Sequence, residues 1–260
     1  MVKIHKGSQS YHPDDAVGSS EHGAFSHFWF KDGVKLTVRT SYLKKVFSAK
    51  WNTVKFLSQR SERTVQECDL DGKSFILRRF YAEVPAHSLI KKIMQVIGRR
   101  FTFESPVLEL TLPKKRYKFL LTKKIPGEIL STVWDRNYLQ AFENLKQAAA
   151  ILAKLHVNGI VHGHPHAGNW MVKPNGSLTL IDSKYLRELP EIPTLAAIKL
   201  HVRAVLFSSD RPNSEKHLVK RDLRHLIHPT LGLYPVQAQS IFEAYLHAYQ
   251  KEYEKRAKEK

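Results

Sequence analysis

The apolar residues change their period several times along the chain, and each change predicts an element. Val34-Lys35-Leu36-Thr37-Val38 alternates strictly, which is the period of a half-buried strand, inside a stretch from Phe25 to Lys50 that reads as strand. Thr64-Val65-Gln66-Glu67-Cys68 and Ser74-Phe75-Ile76-Leu77-Arg78-Arg79-Phe80 flank Asp71-Gly72. An Asp-Gly pair suits the two positive-φ positions of a tight turn, so the three pieces predict a β-hairpin. Leu89, Ile90, Ile93, Met94 and Ile97 recur at helical spacing and predict a helix from Ala86 to Ile97. Arg116 to Lys123 reads as another strand, broken by Ile125-Pro126-Gly127. A long helix is expected from about Asn137 to His156, with Leu139, Phe142, Leu145, Ala149, Leu152 and Leu155 on its apolar stripe and Asn158-Gly159 as its stop. Ile160-Val161 and Leu178-Thr179-Leu180-Ile181 flank a loop and read as a hairpin-like pair of strands. Beyond Pro193 the chain reads as mostly helical, and Ala238 to Lys260 as an amphipathic helix whose end from Tyr249 is exposed. The first ~25 residues are polar and read as a loose lead-in.

This order predicts an α+β chain of two lobes. Residues 1–124 form a β-rich N-terminal lobe with its polar lead-in, and residues 125–260 an α-helical C-terminal lobe. Apolar residues at 42% and aromatics at 10% exclude a disordered chain, and 12 Gly with 12 Pro exclude a collagen-like one. The single cysteine, Cys68, cannot close an intramolecular disulfide, which fits a reducing compartment. No apolar run approaches the roughly 18–20 residues of a membrane helix, and MVKIHKGSQS lacks the apolar stretch of a signal peptide. A soluble, cytoplasmic protein is therefore expected. Charge adds something new: 42 Lys plus Arg against 24 Asp plus Glu leaves +18. Such a surplus suits nucleic acid, an anionic membrane face, a phosphate-bearing substrate, or a solvated surface with no specific partner. No nucleic-acid-binding motif accompanies it, so nucleic acid is not expected as a partner.

The segment that points to chemistry is His162-Gly163-His164-Pro165-His166-Ala167-Gly168-Asn169-Trp170, followed by Leu180-Ile181-Asp182-Ser183. A His-rich loop ends in Asn, and an apolar strand then delivers one carboxylate. Asn and Asp oxygens are the donors with which phosphoryl-transfer sites hold Mg²⁺ against nucleotide phosphates. His162, His164 and His166 alternate, but without Cys or Glu at ligand spacing they do not read as a zinc site. Trp170, Met171 and Val172 read as core beneath the loop.

On these residues the chain resembles the protein-kinase-like superfamily. The H-R-D-x-x-x-x-N loop aligns with His162-Gly163-His164 through Asn169, and the D-F-G position with Asp182-Ser183-Lys184. It is similar in particular to bacterial lipopolysaccharide core heptose kinases, whose G-D-P-H-x-G-N motif and I-I-D strand match Gly163 to Asn169 and Leu180-Ile181-Asp182. Gly72 to Arg78 looks like their lysine-bearing strand and Leu121 to Glu128 like their hinge, so the resemblance spans roughly Thr64 to Lys184. It implies a bilobal kinase-like fold, ATP and Mg²⁺ as cofactors, and transfer of the γ-phosphoryl to a sugar hydroxyl of the lipopolysaccharide core. It also implies Asn169 and Asp182 as metal ligands, Arg78 and Lys123 as nucleotide contacts, and His164 where the catalytic base belongs. His166 reads equally as a phosphate or substrate contact, with a catalytic part, or as a plain loop residue. His162 reads as a brace for the loop. The implied partner is the lipopolysaccharide core or another anionic sugar-lipid, with peripheral contact at the inner face of the cytoplasmic membrane.

The departures define an alternative. His164 replaces the family's Asp, and Arg78 replaces its Lys. A neutral imidazole accepts a proton, and its unperturbed pKa of about 6.5 suits a base, yet it becomes cationic in doing so. No glycine-rich loop is present: Ser58 to Arg63 offers Ser, Arg and backbone amides instead. No helix Glu is evident, with Glu83 and Glu104 nearest to the required place. A catalytically impaired pseudokinase, acting as a nucleotide-binding or scaffold protein, is the second expectation.

Overall fold

Alternation of buried and exposed positions builds the first half of the molecule. The computed structural model describes residues 11–48, 51–60, 63–80, 106–112, 117–182, 186–207, 217–228 and 231–259. These fall into two compact units, one holding residues through 80 together with 106–124, the other the described residues from Ile125 onward. The first is an antiparallel sheet and the second is mainly helical, so the chain has the α+β class that its sequence predicts.

In the first unit the strands are β1 (Gly18–His22), β2 (Phe25–Trp29), β3 (Lys35–Arg39), β4 (Trp51–Arg60), β5 (Arg63–Leu70), β6 (Lys73–Phe80), β7 (Pro106–Leu112) and β8 (Tyr117–Lys123). They form one antiparallel sheet in the order β1-β2-β3-β7-β8-β6-β5-β4. Phe28, Leu36, Val38, Phe75, Leu110 and Leu121 share a single core on one of its faces, and a short helix, α1 (Leu43–Ser48), adds Val46 and Phe47 to it. The turn between β5 and β6 is the predicted one: Asp71 at φ 50° and Gly72 at φ 72° give the twist that a two-residue hairpin needs.

Several expectations are corrected here. Gly18–His22 is not lead-in but strand β1; it carries no buried side chain and is held by backbone pairing to β2, which a search for apolar residues cannot detect. The stretch from Phe25 to Lys50 is not all strand, since it contains α1. Ser58 to Arg60 belong to β4, a ten-residue strand whose register shifts at Thr53/Lys55 and Phe56/Ser58 break the two-residue period that would have revealed it. The helix expected at Ala86 to Ile97, with Glu83 and Glu104, lies outside the described residues.

The second unit contains α2 (Leu130–Arg136), α3 (Tyr138–Val157), α4 (Leu195–Phe207), α5 (Leu218–Leu226) and α6 (Pro235–Lys258), with short strands β9 (Glu128–Ile129), β10 (Ile160–Val161), β11 (Trp170–Val172), β12 (Leu178–Leu180) and β13 (Arg187–Glu188). The Asn137 side chain caps α3 by accepting from the Gln140 amide at 3.1 Å. Leu145, Ala148, Ala149, Leu152 and Leu155 of α3 are buried, and the helix packs along α6. Leu139, expected on that stripe, is instead 77% exposed, because the stripe begins only with Ala141. Ile160-Val161 and Leu178–Leu180 do not pair with each other: β10 pairs with β13, and β12 with β11, which pairs in turn with β9. The exposed C-terminal helix needs correction too. Tyr249 is buried with its hydroxyl on the Pro193 carbonyl at 2.6 Å, and the Arg256 guanidinium donates to the Val157 carbonyl at the end of α3 at 2.9 Å. Among the described residues no helix is long and apolar enough to cross a membrane.

Gly127, just before β9, has φ 134°, and a Cβ there would lie 2.1 Å from the Val172 carbonyl oxygen of β11. Gly127→Ala is therefore expected to destabilise the protein by about 3 kcal/mol, measured by urea unfolding; a loss within experimental error would show that β9 and β11 are free to separate.

Candidate active site

A buried carboxylate organises the loop that follows β10. Helix α5 turns Val219, Asp222, Leu223 and Leu226 to its buried side, so an acid sits in an apolar stripe. Asp222 has no exposed surface. Its Oδ2 accepts from the His162 amide at 2.8 Å and its Oδ1 from the Gly163 amide at 2.7 Å. Two consecutive amides can aim at one carboxylate because Gly163 lies in the left-handed region at φ 82°. His156 Nε2 of α3 stands 3.1 Å from the same Oδ2, and its Nδ1 is 2.7 Å from the Tyr245 hydroxyl of α6. Burial pushes the Tyr245 hydroxyl pKa well up, so it remains a donor and leaves His156 to donate to Asp222. His162 is fully buried, with Nε2 on the Ile181 carbonyl at 3.1 Å and Nδ1 enclosed without a hydrogen-bond partner among the described residues. Burial pulls its pKa down against the charges of Asp222 and Asp182, which is the chemistry of a brace and not of an acid or base.

The rest of the loop is tied to itself. His166 Nδ1 accepts from the Gly168 amide at 3.0 Å and caps a turn of 3-10 helix over Ala167–Asn169. The Trp170 indole donates to the Pro165 carbonyl at 3.0 Å. The Asn169 side-chain amide donates to the His164 carbonyl at 2.8 Å, which leaves its oxygen for another partner. The Ile181 amide donates to the Asn169 carbonyl at 2.9 Å and extends the β11–β12 pairing by one step. That step sets Asn169 opposite Ile181, the residue before Asp182, and both Asn169 and Asp182 are largely buried. Asp182 is held at φ 61°, a left-handed conformation that a non-glycine residue adopts at a cost.

His164 stands in a group of imidazoles. Its ring centroid is 4.4 Å from that of His166 and 4.4 Å from that of His225 on α5, and His228 stacks beyond His225 at 6.5 Å. Burial, then the neighbours His225, His166 and His162, push the His164 pKa down to about 4. Burial also takes His225 to about 4, with Arg221, His166 and His228 adding to the effect. Half-buried and packed among its own kind, the His164 ring is neutral well below pH 6, unlike an unperturbed imidazole. Among the described residues no three His, Cys, Asp or Glu side chains are placed to hold one metal ion. A cavity of about 530 Å³ opens beside the loop, lined by Ser131, Trp134, Asp135, His164, His166 and His228.

In the first unit, Arg78 is buried and its Nη1 donates to the Thr122 hydroxyl at 3.3 Å. Arg78 pairs across the sheet with Val65 and Leu120, whereas Arg79 pairs with Thr64 and Phe119, so the two arginines occupy opposite faces as regular strand geometry requires. Lys123 pairs with Phe75 and therefore lies on the face away from Arg78, with its ammonium over the Tyr42 ring at 5.1 Å. The structure does not bring Arg78 and Lys123 together, and the expectation that both grip one nucleotide is corrected. The face that carries Arg78 also carries buried Glu67, whose carboxylate meets the Lys124 ammonium at 2.7 Å. Sequence reasoning missed this pair, though Glu67 shares the inward alternation of Val65. It also missed Asp222, for which the signal was a lone acid on an apolar helical stripe. His156, Tyr245, His225 and His228 are too far along the chain for spacing to reveal.

No family model matches the chain, and no curated protein matches it. Among solved structures, it is similar to the Cydia pomonella granulovirus kinase PK-1 at 17% identity and a TM-score of 0.43, over 58% of this chain and 56% of that one. The chain thus spans little more than half the length of that kinase. It is also similar to WaaP in a complex with acyl carrier protein, at 12% identity and a TM-score of 0.45, over 81% of this chain and 90% of that one.

Asp222→Ala strands two buried amides and His156, and is expected to cost about 3–5 kcal/mol in urea unfolding; a cost below about 1 kcal/mol would mean that the loop holds itself. The depressed histidines fix a sign for pH. As pH falls from about 6.5 the unfolded chain takes up protons that folded His164 and His225 refuse until about 4. Stability should therefore fall across that window, and fall less steeply in His225→Gln; equal slopes would remove His225 from the account.

Proposed function

We propose that the chain is an ATP-dependent phosphotransferase that uses Mg²⁺ and transfers a phosphoryl group to a sugar hydroxyl of the lipopolysaccharide core or of another anionic sugar-lipid. The observation that carries this reading is the one-step extension of the β11–β12 pairing, which sets Asn169 opposite Ile181, the residue before Asp182, at the end of the His164 loop. The donor set fits the ion. Mg²⁺ is held by one or two carboxylates with substrate phosphates and waters, not by a cage made wholly of protein, and one carboxylate plus one amide oxygen is such a set. Bound there, the ion neutralises charge that develops on the transferred phosphoryl group. The resemblance of Gly163 to Asn169 to the core heptose kinases supports the sugar acceptor.

The chain's own residues then divide the remaining work. Asp222 and His162 hold the loop, and Asn169 fixes its far end through the His164 carbonyl. The His164 ring, uncharged at neutral pH, accepts a hydrogen bond from the acceptor hydroxyl. As that oxygen bonds to the γ-phosphorus and the bridging oxygen departs with ADP, the hydroxyl proton passes to the imidazole. His166 has Nδ1 committed to its turn, so it acts on the acceptor only through Nε2. Arg78, steadied by Thr122, serves nucleotide phosphates within its own unit; Lys123 has no part in this scheme.

One observation favours a second reading, a pseudokinase that binds nucleotide and turns over little. A ring with a pKa of about 4 is a weak proton acceptor, and it stands where a carboxylate is expected. Transfer of labelled γ-phosphate from Mg-ATP to dephosphorylated core separates the two. Transfer by the native chain, lost by about 10³-fold or more in Asp182→Ala, is expected; undiminished transfer in that variant contradicts the assignment. His164→Asp should raise the rate about tenfold or more, and a fall would identify the imidazole as better suited than the carboxylate. Nucleotide binding without transfer in the native chain would select the pseudokinase.

A further inference from the structure

The apolar residue that left the expected stripe of α3 has neighbours. Leu139 is 77% exposed, Tyr234 and Val236 at the start of α6 are each 71% exposed, and Tyr138 is 37% exposed. One side chain brings them together: Gln237 donates through Nε2 to the Tyr138 hydroxyl while its Oε1 accepts from the Tyr234 amide at 2.9 Å. The beginnings of α3 and α6 are therefore linked, and together they expose two tyrosines, a leucine and a valine. The patch runs on to the cavity, since Tyr138 packs edge-on against Trp134 at 4.6 Å and Trp134 lines the cavity beside His164. His228, just beyond α5, lines the cavity as well, and α5 itself carries Arg221 and Arg224 off its buried stripe.

We propose that this patch is a docking surface for an anionic lipid bilayer, and that it seats the mouth of the His164 cavity at the headgroup level. Single exposed apolar residues are ordinary, but four of them on two linked helix starts next to a polar cavity are not. Tyr and Trp rings, apolar in body and polar at the tip, favour the headgroup region, while Leu and Val favour the acyl boundary below it. A second copy of this chain is a poor occupant, because two bodies of +18 repel each other. An anionic surface gains from that same surplus. The functional meaning rests on the cavity being the acceptor site of the proposed phosphotransferase, whereas the docking itself does not.

The test is sedimentation with vesicles made of equal parts phosphatidylcholine and phosphatidylglycerol, without nucleotide, so that failed docking and failed catalysis are read separately. The native chain is expected to bind, and Leu139→Asp with Val236→Asp to reduce binding at least about tenfold. Both positions lie in the first turn of a helix, where a carboxylate is tolerated or stabilising, so the double variant should keep the native thermal transition. No binding by the native chain, or equal binding by a folded double variant, overturns the proposal. So does a native dimer in sedimentation equilibrium that the double variant dissociates.

Discussion

Much of the second unit depends on keeping one carboxylate out of water. Asp222 is enclosed by α3, α5 and α6, and a buried charge is tolerated only when its oxygens are fully engaged. Here they are engaged by two loop amides and His156, which is tied in turn to Tyr245. The same contacts that make burial possible therefore fix the loop to three helices. From that anchor, short internal hydrogen bonds carry the order forward through His166 and Asn169 to Ile181, the residue before Asp182. The site residues lie at the end of a chain of constraints whose first link is not itself positioned to touch a substrate.

The electrostatic character of the site follows from what surrounds His164. A carboxylate at this position would face imidazoles that could share its charge. An imidazole is held down first by burial and then by cationic neighbours that resist protonation with it, and two rings here stand near a pKa of about 4. The His162 and His164 rings of the loop are neutral at physiological pH in a chain whose formal charge is +18. Orientation and hydrogen bonding, more than strong proton abstraction, are what such a loop offers, and phosphoryl transfer through a loose transition state places its main demand there.

Local rules made much of this readable in the sequence. The Asp71-Gly72 turn and the long helix from about Asn137 depend on neighbours a few residues away, and the structure places them as expected. What the sequence hid depends on partners far along the chain. Strand β1 exists because β2 lies beside it. Glu67 finds Lys124, His164 finds His225, and two amides find Asp222, each across a separation that no periodicity spans. Leu139 shows the opposite error: its spacing is that of a core residue, yet the buried stripe of α3 begins only with Ala141.

The central claim is that Asn169 and Asp182 act together on a metal-bound nucleotide. It is tested most directly by titrating ATP into the native chain, Asn169→Ala and Asp182→Ala, with Mg²⁺ and with chelator. The account predicts binding that is strengthened by Mg²⁺ in the native chain, with that strengthening lost in both variants. Equal affinity with and without the ion in all three proteins would contradict it.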